Sequence, residues 1–193
     1  MMQIPTLKGR WVALEPIAEA HREPLRQAAD DERIWATTIV RAAGDGFDAW
    51  FNALLAERAA GRWYPFAVRR MADCLIVGST SYLDISPKHR RLEIGATWYR
   101  PDTWGSMVNP ECKLLLLANA FEVHDMQRVA FITDVRNLHS QAAIAKLGAT
   151  REGVLRSHMV SQGGRMRDSV VFSIIAEEWP RLRKMLQARI APN

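Results

Sequence analysis

The residues Trp104-Gly105-Ser106-Met107-Val108-Asn109 stand between two candidate elements and have the makings of an anion site. Glycine and short polar side chains let backbone N–H groups turn the same way. A helix that follows adds its own unpaired first-turn N–H groups. Such a cradle holds phosphate or pyrophosphate without needing a charged side chain. Proton transfer needs titratable groups, and two stand out by type and place. His158 titrates near neutral pH, and Glu93 sits within an otherwise apolar alternating stretch. No His, Cys, Asp or Glu residues take up metal-ligand spacing, so no metal is expected, and Cys74 and Cys112 lack a redox or zinc pattern.

These residues are positioned by two strand-helix units. Residues 92–99 alternate strictly, with Leu92, Ile94, Ala96 and Trp98 against Glu93, Gly95, Thr97 and Tyr99, which predicts a strand. The turn-rich segment RPDTWGSMVNP follows, and from Glu111 a helix is predicted with Leu114, Leu117, Ala118 and Phe121 on one stripe. Leu115 and Leu116 make that helix apolar on most sides, as a buried helix would be. An ordinary strand-to-helix connection has the same pattern. Residues 128–134 predict a second strand, and Asn137 opens a helix that runs to Leu147 and ends at Gly148. Adjacent units of this kind imply parallel strands whose C-terminal ends lie on one side, where open α/β sheets bind ligands.

The remaining chain suits a single domain over residues 1–193, with 48% apolar and 24% charged residues. Residues 11–16 alternate and stop at Pro16, which predicts an edge strand. Helices are predicted over residues 19–29 and 47–60, with Trp35 and Trp50 nearby, and strands over 63–70 and 75–85. The basic run Lys88-His89-Arg90-Arg91 fits a solvated hairpin tip. Two further strands, 154–161 and 166–175, meet at a Gln162-Gly163-Gly164 turn, and a last helix spans 177–190. A net charge of +5 favours an anionic ligand, but the cations are scattered and outline no nucleic-acid groove. No apolar run is long enough to cross a membrane, so no membrane or nucleic-acid partner is expected. The cysteine usage and the absence of a signal pattern imply a reducing, cytoplasmic setting with both thiols buried.

The segment N-x-x-S-x-x-A-x-x-x-L-G-A-x-x-E-G, here Asn137 to Gly153, followed by GGRMRDSVVFSIIAEEW, resembles the GNAT superfamily of N-acetyltransferases. Within it, the chain is similar to the RimJ/RimL-like branch almost end to end, from GRWVALEP onward. The family's usual Q/R-x-x-G-x-G/A loop is altered here, with Met107 near the second small position. The resemblance implies an α/β (α+β) GNAT fold: a mixed, mostly antiparallel sheet of about seven strands with a splayed parallel pair and four to five flanking helices. It implies acetyl-coenzyme A as cosubstrate, its pantetheine arm on Thr97, Trp98 and Tyr99. The pyrophosphate would rest on residues Trp104 to Asn109, with Asn137 and Ser140 also against the cofactor. The implied activity is transfer of acetyl to a primary amine, a protein N-terminus or a small molecule, by direct attack on the thioester. A non-catalytic acyl-coenzyme A sensor is the alternative. Three roles need filling: a base, an oxyanion donor and an acid for the thiolate. The branch gives the acid role to the serine of N-x-x-S, here Ser140, which equally suits the first turn of a helix capped by Asn137. His158 and Glu93 are the candidate bases, and a water chain is a third route. Small relatives commonly pair, and the apolar strands near the C-terminus leave an edge to cover, so a homodimer is expected.

Overall fold

Strand β5 (Arg91–Tyr99) is where the two halves of the sheet meet. In the computed structural model, which describes residues 4–191, eight strands lie in the order β1 (Leu7–Lys8), β2 (Val12–Pro16), β3 (Tyr64–Arg70), β4 (Ile76–Ser86), β5, β6 (Arg128–Asp134), β8 (Met166–Ile175) and β7 (Thr150–Val160). Neighbours are antiparallel except for β5 and β6. That parallel pair holds only where Arg91, Leu92 and Glu93 face Arg128, Val129 and Ala130. Beyond Glu93 the strands part. β6 stays in the sheet because β8 pairs with it as far as Asp134. β5 is bent by a bulge, with Ala96 at φ 46° and a register shift opposite Ser79 and Ser81 of β4.

Helices cover both faces. α1 (Arg22–Ala29) and α2 (Phe47–Ala59) pack on one through Leu25, Phe47, Phe51 and Leu54, against Ala67 and Trp98. α3 (Val108–Ala118), α4 (Leu138–Ala145) and α5 (Trp179–Ile190) pack on the other, where Leu116, Leu117, Ile144, Leu182 and Leu186 meet Tyr82, Leu92, Ile94, Phe131 and Phe172. α3 is fastened at its N-terminus: the buried Glu111 carboxylate accepts from the N–H groups of Arg10, Trp11 and Val12 at 2.9, 2.6 and 2.7 Å. At its C-terminus it widens into a π-helical turn, Asn119–Val123, where the Tyr82 hydroxyl donates to the Leu116 carbonyl at 2.6 Å. Among the described residues no helix is long and apolar enough to cross a membrane.

The mixed sheet with its splayed parallel pair and the five helices agree with the sequence reading, and the differences are local. There are eight strands rather than seven, because β1 is a ladder of two residues, too short to leave a pattern. It also takes the edge from β2, which is therefore the second strand in. α3 starts at Val108, ahead of Glu111, because Pro110 lies in the first turn, where its missing N–H costs nothing. Residues 19–21 form a 3-10 turn before α1. Cys112 is buried, but Cys74 is exposed in the β3–β4 turn at φ 61°, against the expectation of two buried thiols. The alternation read through β5 fails at Ala96. The bulge absorbs one residue, so Trp98 shares a face with Glu93 and Gly95 rather than with Leu92 and Ile94.

Candidate functional site

The gap between β5 and β6 leaves strand backbone without a partner. The Arg100 N–H donates to Val77 of the β4 side at 2.8 Å, so alternation turns Trp98's backbone toward β4 and that of Thr97 and Tyr99 toward the gap. The Trp104 indole fits this, since it reaches back from the gap side to donate to the Tyr99 carbonyl at 3.0 Å. Of the three residues expected to pair with a pantetheine arm, Thr97 and Tyr99 thus face the gap and Trp98 does not. Trp98 contributes its ring instead, tilted against Trp35 and edge-on to Trp50 at 5.3 and 5.7 Å between centroids. Its Nε1 is buried without a partner.

Glu93 stands at the fork, the last β5 residue paired to β6. Leu83 and Ser81 oppose Glu93 and Gly95 across the β4 ladder, which puts these side chains on the α1–α2 face. The Glu93 carboxyl folds over Gly95, where a Cβ would stand 2.7 Å from Oε1 and 2.7 Å from Leu83 Cδ1. Burial raises the Glu93 pKa to about 7, helped by the Asp84 carboxylate and opposed by the Arg167 guanidinium. A carboxyl poised at neutral pH suits a general base. Arg167 itself, on β8, was not among the residues the sequence singled out. A charged residue in a strand is normally solvent-facing, and nothing in the pattern marked this one as buried.

On the opposite face, Lys113 of α3 is buried. Its Nζ donates to Thr97 Oγ1 at 2.8 Å and to Thr80 Oγ1 at 3.4 Å, and the two hydroxyls are 2.8 Å apart. Burial lowers its pKa to about 8. This cluster braces the bulge from beneath, and the apolar stripe read for α3 gave no sign of it.

The N-termini of α3 and α4 meet beside the open end of the gap. Gly105, at φ 77°, turns the chain with open space around it, and Ser106 Oγ donates to the Thr103 carbonyl at 2.6 Å and accepts from the Val108 N–H at 3.2 Å. Met107 precedes the first helical residue, Val108 is packed in the core, and Asn109 is partly exposed in the first turn. Trp104 lies 6.4 Å from His139 of α4, centroid to centroid, which ties the loop to the second N-terminus. There Asn137 Oδ1 accepts from the Ser140 N–H at 2.9 Å, so Asn137 is the cap and Ser140 is in the first turn.

His158 lies elsewhere on the sheet. A second bulge, with Ser157 at φ 49° and its N–H bound to Asp168 Oδ1 at 2.8 Å, sends His158 Nδ1 to within 3.1 Å of Ser169 Oγ. β6 and β8 separate β7 from β5, so His158 and Glu93 stand three strand spacings apart across the sheet, about 14 Å, and are offset by several residues along it as well. The two candidate bases share a face but are not neighbours. Among the described residues no three His, Cys, Asp or Glu side chains converge as metal ligands would.

Comparison with known proteins fits this geometry. Residues 12–150 match the profile of the Acetyltransferase (GNAT) domain. A solved structure from T. thermophilus, assigned as an acetyltransferase, superposes with a TM-score of 0.88 at 35% identity, over 99% of this chain and 100% of that one. The N-acetyltransferase YoaA of Bacillus subtilis (strain 168), itself uncharacterized, is 29% identical over 125 residues, 65% of this chain and 68% of YoaA. Mycobacterium smegmatis RimJ, solved in complex with CoA-disulfide, shares the fold with a TM-score of 0.78 at 22% identity, over 92% of this chain and 88% of that one. The matched region spans the strand fork and both helix N-termini, and the chain belongs to the GNAT family of acetyltransferases.

Proposed function

We propose that the protein is an acetyl-coenzyme A-dependent N-acetyltransferase of the RimJ/RimL-like branch, acting on a primary amine. The observation that carries this is the fork itself: β5 backbone at Thr97 and Tyr99 that β6 does not pair, the Tyr99 carbonyl being met only by the Trp104 indole, with a neutral-range carboxyl, Glu93, where the strands part. Unpaired backbone in a protein interior calls for a ligand with amides of its own, and a pantetheine arm has them. Within the Trp104–Asn109 loop the N–H groups of Trp104, Ser106 and Val108 donate inside the chain, and those of Gly105, Met107 and Asn109 suit a pyrophosphate. Bound there, acetyl-coenzyme A supplies an acetyl group activated as a thioester. Glu93 takes the proton that the amine nitrogen loses as it bonds to the acetyl carbon. The Ser140 hydroxyl gives a proton to the departing sulfur. His158, tied to Ser169 on the far side of β8, is left a supporting place on the acceptor face.

Thiol release from acetyl-coenzyme A across a panel of amines, with the products identified by mass spectrometry, tests this reading. Turnover with at least one primary amine is the expected result. Tight coenzyme A binding with no thiol release for any amine would replace the transferase with an acyl-coenzyme A sensor. We further infer that two copies pair along β7.

A further inference from the structure

Arg167 is only 5% exposed, yet among the described residues its guanidinium has no hydrogen-bond partner. Its Nε is buried without a hydrogen bond, and among the described residues no carboxylate makes an ion pair with it. The acid that acts on it most strongly, Asp134, is already engaged: it pairs with Arg165 and accepts from the Arg136 N–H at 2.8 Å. Glu93, the other acid in its field, is only half ionised at neutral pH and faces Gly95. A buried guanidinium left this way is costly unless something outside the chain completes it.

Its position says what that something is. Val170, Phe172 and Ile174 of β8 pack toward α3 and α5, so Arg167 and Ser169 face the other way. That is the face of Asp134, which opposes Ser169, and of Glu93 at the fork. Arg167 and Glu93 thus project from the same face of the sheet, and each charge acts on the other. An amine that delivers its proton to Glu93 therefore carries its other groups past Arg167. The planar fork of donors matches a carboxylate in two parallel hydrogen bonds. Resting on the transferase reading above, we propose that Arg167 anchors a carboxylate carried by the acceptor, so that the preferred acceptors are amines bearing a carboxylate, free amino acids being the simplest.

The test compares free amino acids with their amides, in the native protein and in Arg167→Met and Arg167→Lys. Native kcat/KM is expected to favour the acid over its amide by about 100-fold, the size of two charge-assisted hydrogen bonds. Arg167→Met should erase that preference, chiefly through KM, leave the amide within about threefold and leave coenzyme A affinity unchanged. Arg167→Lys should restore part of the preference, since it keeps charge but not the fork. The melting temperature of Arg167→Met should hold or rise, because an unpaired buried charge has been removed. Binding of N-acetylated amino acids and of their amides, by calorimetry with coenzyme A present, involves no turnover. Selective binding that disappears in Arg167→Met supports the anchor even if no thiol release is found, which would defeat the transferase reading alone. Equal binding of acids and amides overturns the anchor, as does efficient acetylation of peptide N-termini that is indifferent to Arg167. A lowered melting temperature with unchanged selectivity would make Arg167 a structural residue and also overturns it.

Discussion

Glu93, half-buried, and Lys113, buried, lie against opposite faces of one bulged strand, and their ionisation is the property most open to measurement. With a folded pKa of about 7, Glu93 is half ionised at neutral pH, so kcat/KM should rise with pH through about 7 and level off above it. Glu93→Gln should flatten that limb and lower turnover by about 10²–10⁴-fold. Persistence of both limb and rate in the variant would pass the base role to His158 or to water. Gly95→Ala probes the same carboxyl without touching it. The added methyl falls 2.7 Å from Oε1, so the carboxyl must move, and a displacement on that scale can cost about 10²-fold in rate. Lys113 gives a stability prediction. Its folded pKa, about 8, lies below the ordinary 10.5, so between those values the unfolded chain holds the extra proton. Stability therefore rises with pH across that window, and below about 8 the whole cost of burying the charge is present. Denaturant titrations should find Lys113→Met more stable than the native protein at pH 7, by up to about 3 kcal/mol. The difference should shrink toward pH 10, and a gap independent of pH would refute it.

The elements around these residues were legible to the extent that their patterns were local. The bounds of β8 are legible, because a run rich in Val, Phe and Ile behind a glycine turn has few other solutions. The α4 start was read from Asn137 and Ser140, because a cap acts over three residues. The two bulges were not legible. Nothing in a run of alternating residues says that Ala96 or Ser157 takes a positive φ, and each bulge changes which face the following side chains occupy. Glu93 with Trp98, Thr97 with Lys113 and the buried setting of Arg167 all depend on contacts between distant strands and helices, which no local pattern carries. The helix starts can be tested apart from one another. Because Asn137 holds the cap, Asn137→Ala should cost about 0.5–2 kcal/mol of stability. Ser140→Ala should leave stability nearly intact and lower kcat by about 10²–10⁴-fold, with the KM for acetyl-coenzyme A unchanged. Full turnover in Ser140→Ala would end its role as acid. At Gly105 the positive φ tolerates Asn better than other side chains, so Gly105→Asn is the neutral control for Gly105→Asp. If the loop holds pyrophosphate, calorimetry should find coenzyme A binding weakened in the Asp variant alone.

At the scale of the whole molecule the sheet is finished on one side only. β1 closes one edge with two residues, whereas β7 ends the other with eleven, and all of those but Gly153 are exposed. An edge of that length, free along its outer side, is a template for another strand. It is also apolar where it needs no charge: Val154, Leu155, Met159 and Val160 are between 39% and 59% exposed, beside Met166 of β8 at 49%. We propose a second copy as the partner, because two antiparallel edges related by a two-fold axis complete each other and close the assembly. Light scattering at micromolar concentration should then give twice the 21.9 kDa of one chain. Paired substitutions Leu155→Arg and Met159→Lys set like charges against one another across the axis, and should return the mass to one chain. Their effect on turnover reports whether the pairing supports the acceptor face, since His158 lies between the two positions on the same strand. A mass of one chain for the native protein, or a dimer unaffected by the double variant, would show that β7 is covered by something else.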